Sequence, residues 1–315
     1  MPHLIARTFW LGLIVSSTGV ICAQDYPSKP IRIFTGSVGG GSDIAARQIA
    51  QGITGPLGQP IIIENRASIV ASEAVAKASP DGYTVLLGGS GVWLTPVWQK
   101  TNYDAVGDFA PITAISREIN MVAVHPSVPA KSVKDLIALA KARPGELNYA
   151  ASLGSGRLAT ELLRSMAGVN LLYVPYKGAL PSINALISGE VHLTINELGL
   201  MAPHVQSGRL RALAVTSATP SALAPGVPTV AASGLPGYEW VGTTHFMAPA
   251  KTNAAIVGRL NQEIVRYLSR ADVKDRFLSA GTEIVATSPD ELATIIKSEM
   301  AKTAKLIKDA GIRMQ

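Results

Sequence analysis

The chain has 315 residues, 47% of them hydrophobic and 5% aromatic, which suits two ordinary folded domains and excludes a disordered chain. Its formal charge of +6 favours small anions, while Lys and Arg scatter along helical stretches without runs or base-stacking aromatic motifs, which excludes nucleic acid as a partner. The only cysteine, Cys22, lies in the N-terminal leader, so the mature chain makes no disulfide.

Met1 to Ala23 reads as a secretory signal peptide. His3 and Arg7 precede an apolar core from Phe9 to Val15 that continues through Gly19, Val20 and Ile21, and polar Gln24-Asp25 follow the expected cut after Ala23. Ser16, Ser17 and Thr18 break a run already short for a membrane span. Bulky Ile21, where a lipoprotein signal wants a small residue, argues against a lipid anchor at Cys22. The expectation is an exported, periplasmic protein.

Ile31-Arg32-Ile33-Phe34 then predicts a buried strand that empties through Thr35-Gly36-Ser37-Val38-Gly39-Gly40-Gly41-Ser42-Asp43 into a helix. Such a turn leaves backbone N–H groups and the helix dipole facing open space, which favours an anion. Ser42 or Asp43 caps the helix and Ser37 adds a hydroxyl. Ile61 to Ile63 is a second strand, Ser72 to Ala78 a helix, Ser79-Pro80-Asp81-Gly82 a turn and Tyr83 to Leu87 a third strand. Gly88-Gly89-Ser90-Gly91 closes it as a loop at the carboxyl ends of the strands, where open α/β sheets place ligands. Val92 follows Gly91, so Ser90 fails the spacing of a hydrolase nucleophile elbow.

Ile112 to Ile115 and Met121 to Val124 are two further strands, and Val124-His125-Pro126 is the exit from the first lobe. A helix capped by Ser132 follows. Leu147 to Ala150, the small-residue loop Ala151-Ser152-Leu153-Gly154-Ser155-Gly156 and a helix from Arg157 through Met166 repeat the first strand–loop–helix unit. Strands at Leu172 to Val174, Leu193 to Ile195 and Leu213 to Val215 alternate with helices at Ser182 to Ile187 and Leu200 to Gln206, implying largely parallel sheets with helices on both faces. Thr219 to Gly237 is a return loop, Val241 to Met247 leads back to the first lobe, and two amphipathic helices finish the chain on it. One spans Ala254 to Leu268; the other starts at Ser288-Pro289-Asp290-Glu291.

Facing loops of this kind would hold a small carboxylate at both ends through donors already in place, with no proton transfer. Ser37, Ser42, Ser152 and Ser155 supply hydroxyls, each also readable as an ordinary cap. Arg157 offers a guanidinium that matches a carboxylate fork and otherwise opposes the helix dipole, although an exposed surface arginine is the plain alternative. Tyr176 and Lys177 line the cleft or are a packing ring and a solvated charge; Asn196 offers an amide or caps the next helix. His125, His192, His204 and His245 have no metal-ligand spacing, and no phosphate loop occurs, so no metal or cofactor is expected. A secreted serine hydrolase using Ser37 or Ser90 in the same cleft is the alternative from another class, and a ligand sensor for a signalling partner is a third.

These residues resemble the Bug-type solute receptors of tripartite tricarboxylate transporters. The resemblance rests on Tyr26-Pro27-Ser28-Lys29-Pro30-Ile31-Arg32, Gly39 to Asp43, Leu57-Gly58-Gln59-Pro60, Glu64-Asn65-Arg66, Pro80-Asp81-Gly82-Tyr83, Pro129-Ala130-Lys131-Ser132, Val174-Pro175-Tyr176-Lys177-Gly178, Leu210 to Thr216, Val227-Pro228-Thr229 and Gly234 to Tyr238. It implies a non-enzymatic receptor of the two-lobed periplasmic-binding-protein fold (type II, Venus flytrap), with two mostly parallel sheets and a ligand cleft between them; a monomer is expected. Residues 24–125 plus 245–315 would form lobe 1 and 126–244 lobe 2. Such a receptor closes on an organic acid, partly through ordered water, and delivers it to permease subunits in the membrane. The expected binding residues are Ser37, Val38, Gly39, Gly40, Gly41, Ser42, Asp43, Ser90, Ser152, Gly154, Ser155, Arg157, Tyr176, Lys177, Asn196 and His245.

Departures from the family pattern cluster at the cleft. Thr35-Gly36-Ser37-Val38 replaces the usual Pro-Phe-Pro-Ala, and Ala67-Ser68-Ile69-Val70 a longer Pro-Gly-Ala-Gly-Gly segment. Arg157 stands in a shortened second loop for a Ser/Thr-His pair, Asn196 for an aspartate, and Thr243-Thr244-His245 for Trp-Phe-Gly. With Arg157 or His245 meeting a second polar end, the favoured ligand is a dicarboxylate, aliphatic or aromatic.

Overall fold

The apolar run that begins at Ile31 forms β1 (Ile31–Thr35), buried at every position but Arg32. The computed structural model describes residues 26–36, 38–39, 41–98, 100–152, 155–279 and 281–310; the expected leader and the site candidates Ser37, Gly40 and Gly154 lie outside them. β1 leads into α1 (Gly41–Leu57), whose buried Ala45, Ala46, Ile49, Ala50 and Ile53 recur at helical spacing. β2 (Ile61–Asn65), α2 (Ser68–Ala76) and β3 (Thr84–Gly88) follow, and β2 and β3 flank β1 in parallel. α3 (Gly91–Trp98) starts directly after the glycine loop, where only a loop was predicted: its Gly91 and Pro96 hide the helical pattern.

The next element is β4 (Phe109–Val124). Beyond it come α4 (Val133–Ala142), β5 (Asn148–Ala151), α5 (Ser155–Ala167), β6 (Leu172–Pro175), α6 (Ala179–Ile187), β7 (Leu193–Glu197), α7 (Leu198–Gln206) and β8 (Arg211–Val215). The chain returns through β9 (Val241–Pro249), α8 (Ala254–Leu268), α9 (Ala271–Ser279), β10 (Glu283–Ile284) and α10 (Pro289–Ala310).

β4 is one strand of 16 residues where two were predicted. The polar interruption Ser116-Arg117-Glu118 stays in the ladder because its backbone pairs with Thr244, Thr243 and Gly242 of β9, and backbone pairing does not depend on apolar side chains. From Phe109 to Ile119 the strand belongs to a first sheet, ordered β2-β1-β3-β9-β4; from Asn120 to Val124 it belongs to a second, where it pairs with β7 and β8. β5 and β6 extend the second sheet in parallel from β7. The sheets are mixed and not mostly parallel: β9 runs antiparallel to β3 and β4, and β7 and β8 antiparallel to β4.

The first sheet buries Ile31, Ile33, Ile112 and Phe246 against Ile49 and Ile53 of α1 and Leu260 and Ile264 of α8. α10 opens with the predicted reciprocal cap, the Ser288 N–H donating to Glu291 Oε2 at 2.7 Å and the Glu291 N–H to Ser288 Oγ at 3.2 Å. It packs on β4 and on α5, so it touches the second sheet's helices as well as the first. Its Glu299 accepts from Ser90 in the β3–α3 turn and from Trp93 of α3, which brings α10 to the edge of the site.

Candidate ligand-binding cleft

β1 and β5 each end in a loop that feeds a helix start, and the two helix starts border one cavity of about 280 Å³. Ser42 from the first loop, Ser152 and Ser155 from the second, Ser90 from the β3–α3 turn and Asn196 at the end of β7 all line it. Of the other residues expected at the site, Val38 is 75% exposed, and Gly39, Gly41, Asp43, Arg157, Tyr176, Lys177 and His245 do not line it.

Asp43 organises the first loop from within. Its carboxylate is 2% exposed and accepts hydrogen bonds from the Gly39 N–H at 2.9 Å, Asn65 Nδ2 at 2.8 Å and Arg47 Nε at 3.2 Å. Burial pushes the Asp43 carboxyl up, but the bonds from Gly39, Asn65 and Arg47 outweigh it and hold the group below the usual carboxylate range. Asn65 also donates to the Gly36 carbonyl at 2.8 Å, tying the loop to β2. Asp43 thus shapes the loop and does not face the cavity.

Ser155, in the second loop, is held from outside its own unit. Its Oγ accepts from Asn120 Nδ2 of β4 at 3.1 Å and from Trp240 Nε1, just before β9, at 2.9 Å. With both lone pairs taken, the Ser155 hydroxyl is left to donate. Gly156 follows because the helix start presses on β7: a Cβ there would fall 2.2 Å from the Ile195 carbonyl oxygen. Asn196 is buried, and its Nδ2 donates to Ser182 Oγ at 2.9 Å.

Two expected cations point elsewhere. The Arg157 guanidinium lies 4.2 Å from the Tyr173 ring centroid, so the helix-start cation is met by an aromatic face instead of the cavity. His245 is fully buried, stacked on Trp93 at 4.5 Å between centroids, and burial pushes it down to about 3, which keeps it neutral. Its place in β9, opposite Gly88 of β3 and Ala114 of β4, turns it into the core. Tyr176 donates to Glu190 Oε1 at 2.7 Å, and Lys177 is exposed.

Sequence reasoning missed Ser68, Ser72, Glu118, Asn120 and Glu197, which also line the cavity. Ser68 sits in the segment that departs from the family pattern, and Glu197 directly follows Asn196, so both had a signal. Glu118 is set between glycines: a Cβ on Gly89 would fall 2.4 Å from its Oε1 and one on Gly242 2.7 Å from its Oε2. The loss of water around it and the charges of Glu197 and Glu299 push Glu118 up to about 8, against bonds from Thr244 and the Ser90 N–H. Glu299 rises to about 7 by burial, offset by Trp93, Ser90 and Lys302.

Ser90 joins these groups. Its Oγ accepts from the Thr243 N–H at 2.9 Å and donates to Glu299 Oε2 at 3.3 Å, and no described histidine reaches it. The carboxylate within reach of the Ser90 hydroxyl is Glu299, and among the described residues no histidine stands beside the pair to complete a Ser-His-acid arrangement. A larger cavity of about 480 Å³ also touches Ser90 and Ser155 but is lined otherwise by α10, Trp240 and Arg117, away from the start of α1. Of these two cavities, the smaller is the one whose described lining gathers both helix starts. Among the described residues no group of acids and histidines has the arrangement of a metal site.

Two sheets sharing β4, with a cavity between helix starts and hydroxyls, define a two-lobed solute-binding protein of the periplasmic-binding-protein type. The model of the tripartite tricarboxylate transporter family receptor matches residues 45–312, and the chain belongs to that family. BugT of Bordetella pertussis is 32% identical over a 319-residue alignment covering 97% of each chain. R. palustris Rpa4515, solved with adipate, is 35% identical with a TM-score of 0.82, covering 92% of this chain and 100% of that one. MatC from Rhodopseudomonas palustris, solved with bound malate, is 26% identical with a TM-score of 0.76, covering 90% and 100%.

Proposed function

We propose that this receptor captures a small dicarboxylate in the cleft between its lobes and delivers it to the membrane permease of a tripartite tricarboxylate transporter. The observation that carries the reading is the cavity itself: the starts of α1 and α5 converge on it with the hydroxyls of Ser42, Ser152 and Ser155, a set of donors suited to reversible anion binding. The solved relatives with adipate and malate support an aliphatic acid. Residues 24–125 with 245–315 form one lobe in this reading and 126–244 the other, and the protein acts as an exported monomer after removal of residues 1–23.

With Arg157 and His245 turned away, no cation among the described residues lines the cavity, and in this reading the second carboxylate is held by neutral hydroxyl and backbone N–H donors. Purified mature protein should therefore melt at a higher temperature with adipate or malate, since a ligand that binds only the native state stabilises it by about 2.7 kcal/mol at a hundredfold excess over Kd. Isothermal calorimetry over a panel of mono- and dicarboxylates tests the reading; no heat and no melting shift with any acid would overturn it.

A further inference from the structure

The charge lining the cleft is the wrong sign for an anion receptor. Among the described residues around the cavity there are two glutamates, Glu118 and Glu197, and no lysine, arginine or histidine. Glu118 and Asn120 project from the same side of β4 because they are two residues apart, and Glu197 stands opposite Asn120 in the β4–β7 ladder. An ionised Glu118 and a dicarboxylate enclosed together would repel, and the partial charges of helix starts offset only part of that cost.

We infer that Glu118 enters ligand capture as a neutral carboxylic acid that donates its proton in a hydrogen bond to a carboxylate of the ligand, so that an ionised Glu118 must take up a proton when a dicarboxylate binds. The inference rests on the carboxylate reading above and adds to it the group that meets the ligand. A protonated carboxyl supplies the one strong donor that the cavity otherwise lacks, and an O–H to a carboxylate is a short, charge-assisted bond.

The elements packed around Glu118 act in both directions: donors from β9 and the β3–α3 turn favour the ionised form, and burial with the acids of β7 and α10 outweighs them. From β9, Thr244 Oγ1 donates to Oε1 at 3.2 Å, and Gly242 leaves room for the carboxyl. The β3–α3 turn offers the Ser90 N–H, β7 brings Glu197, and α10 brings Glu299. Arg117, next in β4, points to the other cavity and lies 4.0 Å from Glu239. Lys302, also lining that cavity, lies 3.5 Å from Glu239. The ionisable groups that act on Glu118 are thus acids, and they raise it in the same direction as the loss of water.

The test is calorimetry of the mature protein with adipate between about pH 6.5 and about pH 9.5, where both adipate carboxyls are ionised. Runs in two buffers of different ionisation enthalpy count the protons taken up. The affinity should be level below about pH 7 and fall about tenfold for each pH unit above about 8, with about half a proton taken up per adipate near pH 8. Glu118→Gln, which keeps a neutral but weaker donor, should bind adipate about tenfold more weakly than wild type at the low end. It should show neither the fall nor the proton uptake.

Affinity that is flat with pH together with zero proton uptake in the wild type overturns the inference, and needs no variant to fold. Loss of all adipate binding in folded Glu118→Gln also overturns it, since a neutral donor at that position would then not serve the ligand. If no acid binds at any pH, the carboxylate reading itself falls and the coupling with it. That outcome is distinct from pH-independent binding, in which only the role of Glu118 is lost.

Discussion

The β1–α1 and β5–α5 loops have the same ingredients and are held in opposite ways. The first is fastened within its own unit by a charged group, Asp43, which grips the Gly39 N–H, Asn65 and Arg47. The second is fastened to the joining strands by neutral bonds, with Ser155 accepting from Asn120 of β4 and from Trp240 ahead of β9. The first loop therefore keeps its shape whatever the second sheet does. The shape of the second is tied to the joining strands, so relative motion of the lobes acts on the donors it presents.

The largest effect should come from Asp43→Ala. A carboxylate that holds several donors leaves them unpaired when removed, at about 2 kcal/mol or more. Most of that comes from the Gly39 and Asn65 bonds, because the Arg47 side chain is 53% exposed and its pairing is screened. The loop that loses its staple should bind adipate about 30-fold more weakly, equivalent to about 2 kcal/mol, by calorimetry. The pH profile carries the same signature. The Asp43 carboxyl lies below the usual range when folded, so its stabilisation is present above about pH 4 and is lost as the pH falls through its folded value. Melting of wild type on acidification should fall more steeply than that of Asp43→Asn. Parallel curves would mean that the first loop is not held by its charge.

Ser155→Ala should cost less, and in a different currency. It leaves Trp240 Nε1 and Asn120 Nδ2 without their acceptor, a loss of about 1 to 3 kcal/mol in stability. It also removes a donor from the cavity, for about a tenfold loss in adipate affinity. Because the contact is neutral, both losses should be the same at low and high salt, whereas the Arg47 share of the Asp43 effect should shrink with salt. Salt-dependent losses at Ser155 would erase the contrast between the loops.

The two loops were legible in the sequence because each is a local pattern: a strand, small residues, then a helix. Asn196 was legible for the same reason, as the polar residue at the end of the β7 strand. What escaped depends on partners far away in the chain. Glu118 and Asn120 sit in a polar break between two apolar runs, and only pairing with β9 and β7 turns that break into cleft-facing strand. His245 alternates with Thr244 along β9, and which of the two faces the core is set by the register with β3 and β4. Trp93, which stacks on His245 and donates to Glu299, lay in a helix disguised by Gly91 and Pro96.

Arg157 gives the smallest expected effect and the sharpest separation between sequence pattern and site. Read along the chain, it is the one cation at a loop that wants an anion, and a dicarboxylate receptor without it looks incomplete. In space its guanidinium lies over Tyr173, a partner supplied by β6, the strand that pairs with β5 beside the helix start. A cation over an aromatic ring at a partly exposed site contributes about 0.5 to 1 kcal/mol. Arg157→Ala should lower stability by about that amount and leave the affinities for adipate and for a monocarboxylate of the same chain length each within about twofold of wild type. A selective loss for the dicarboxylate would return Arg157 to the cleft and require the second loop to turn over on binding. Equal, small changes would leave the anion held by helix starts, hydroxyls and the acid of Glu118, with charge complementarity supplied by protonation instead of by a fixed cation.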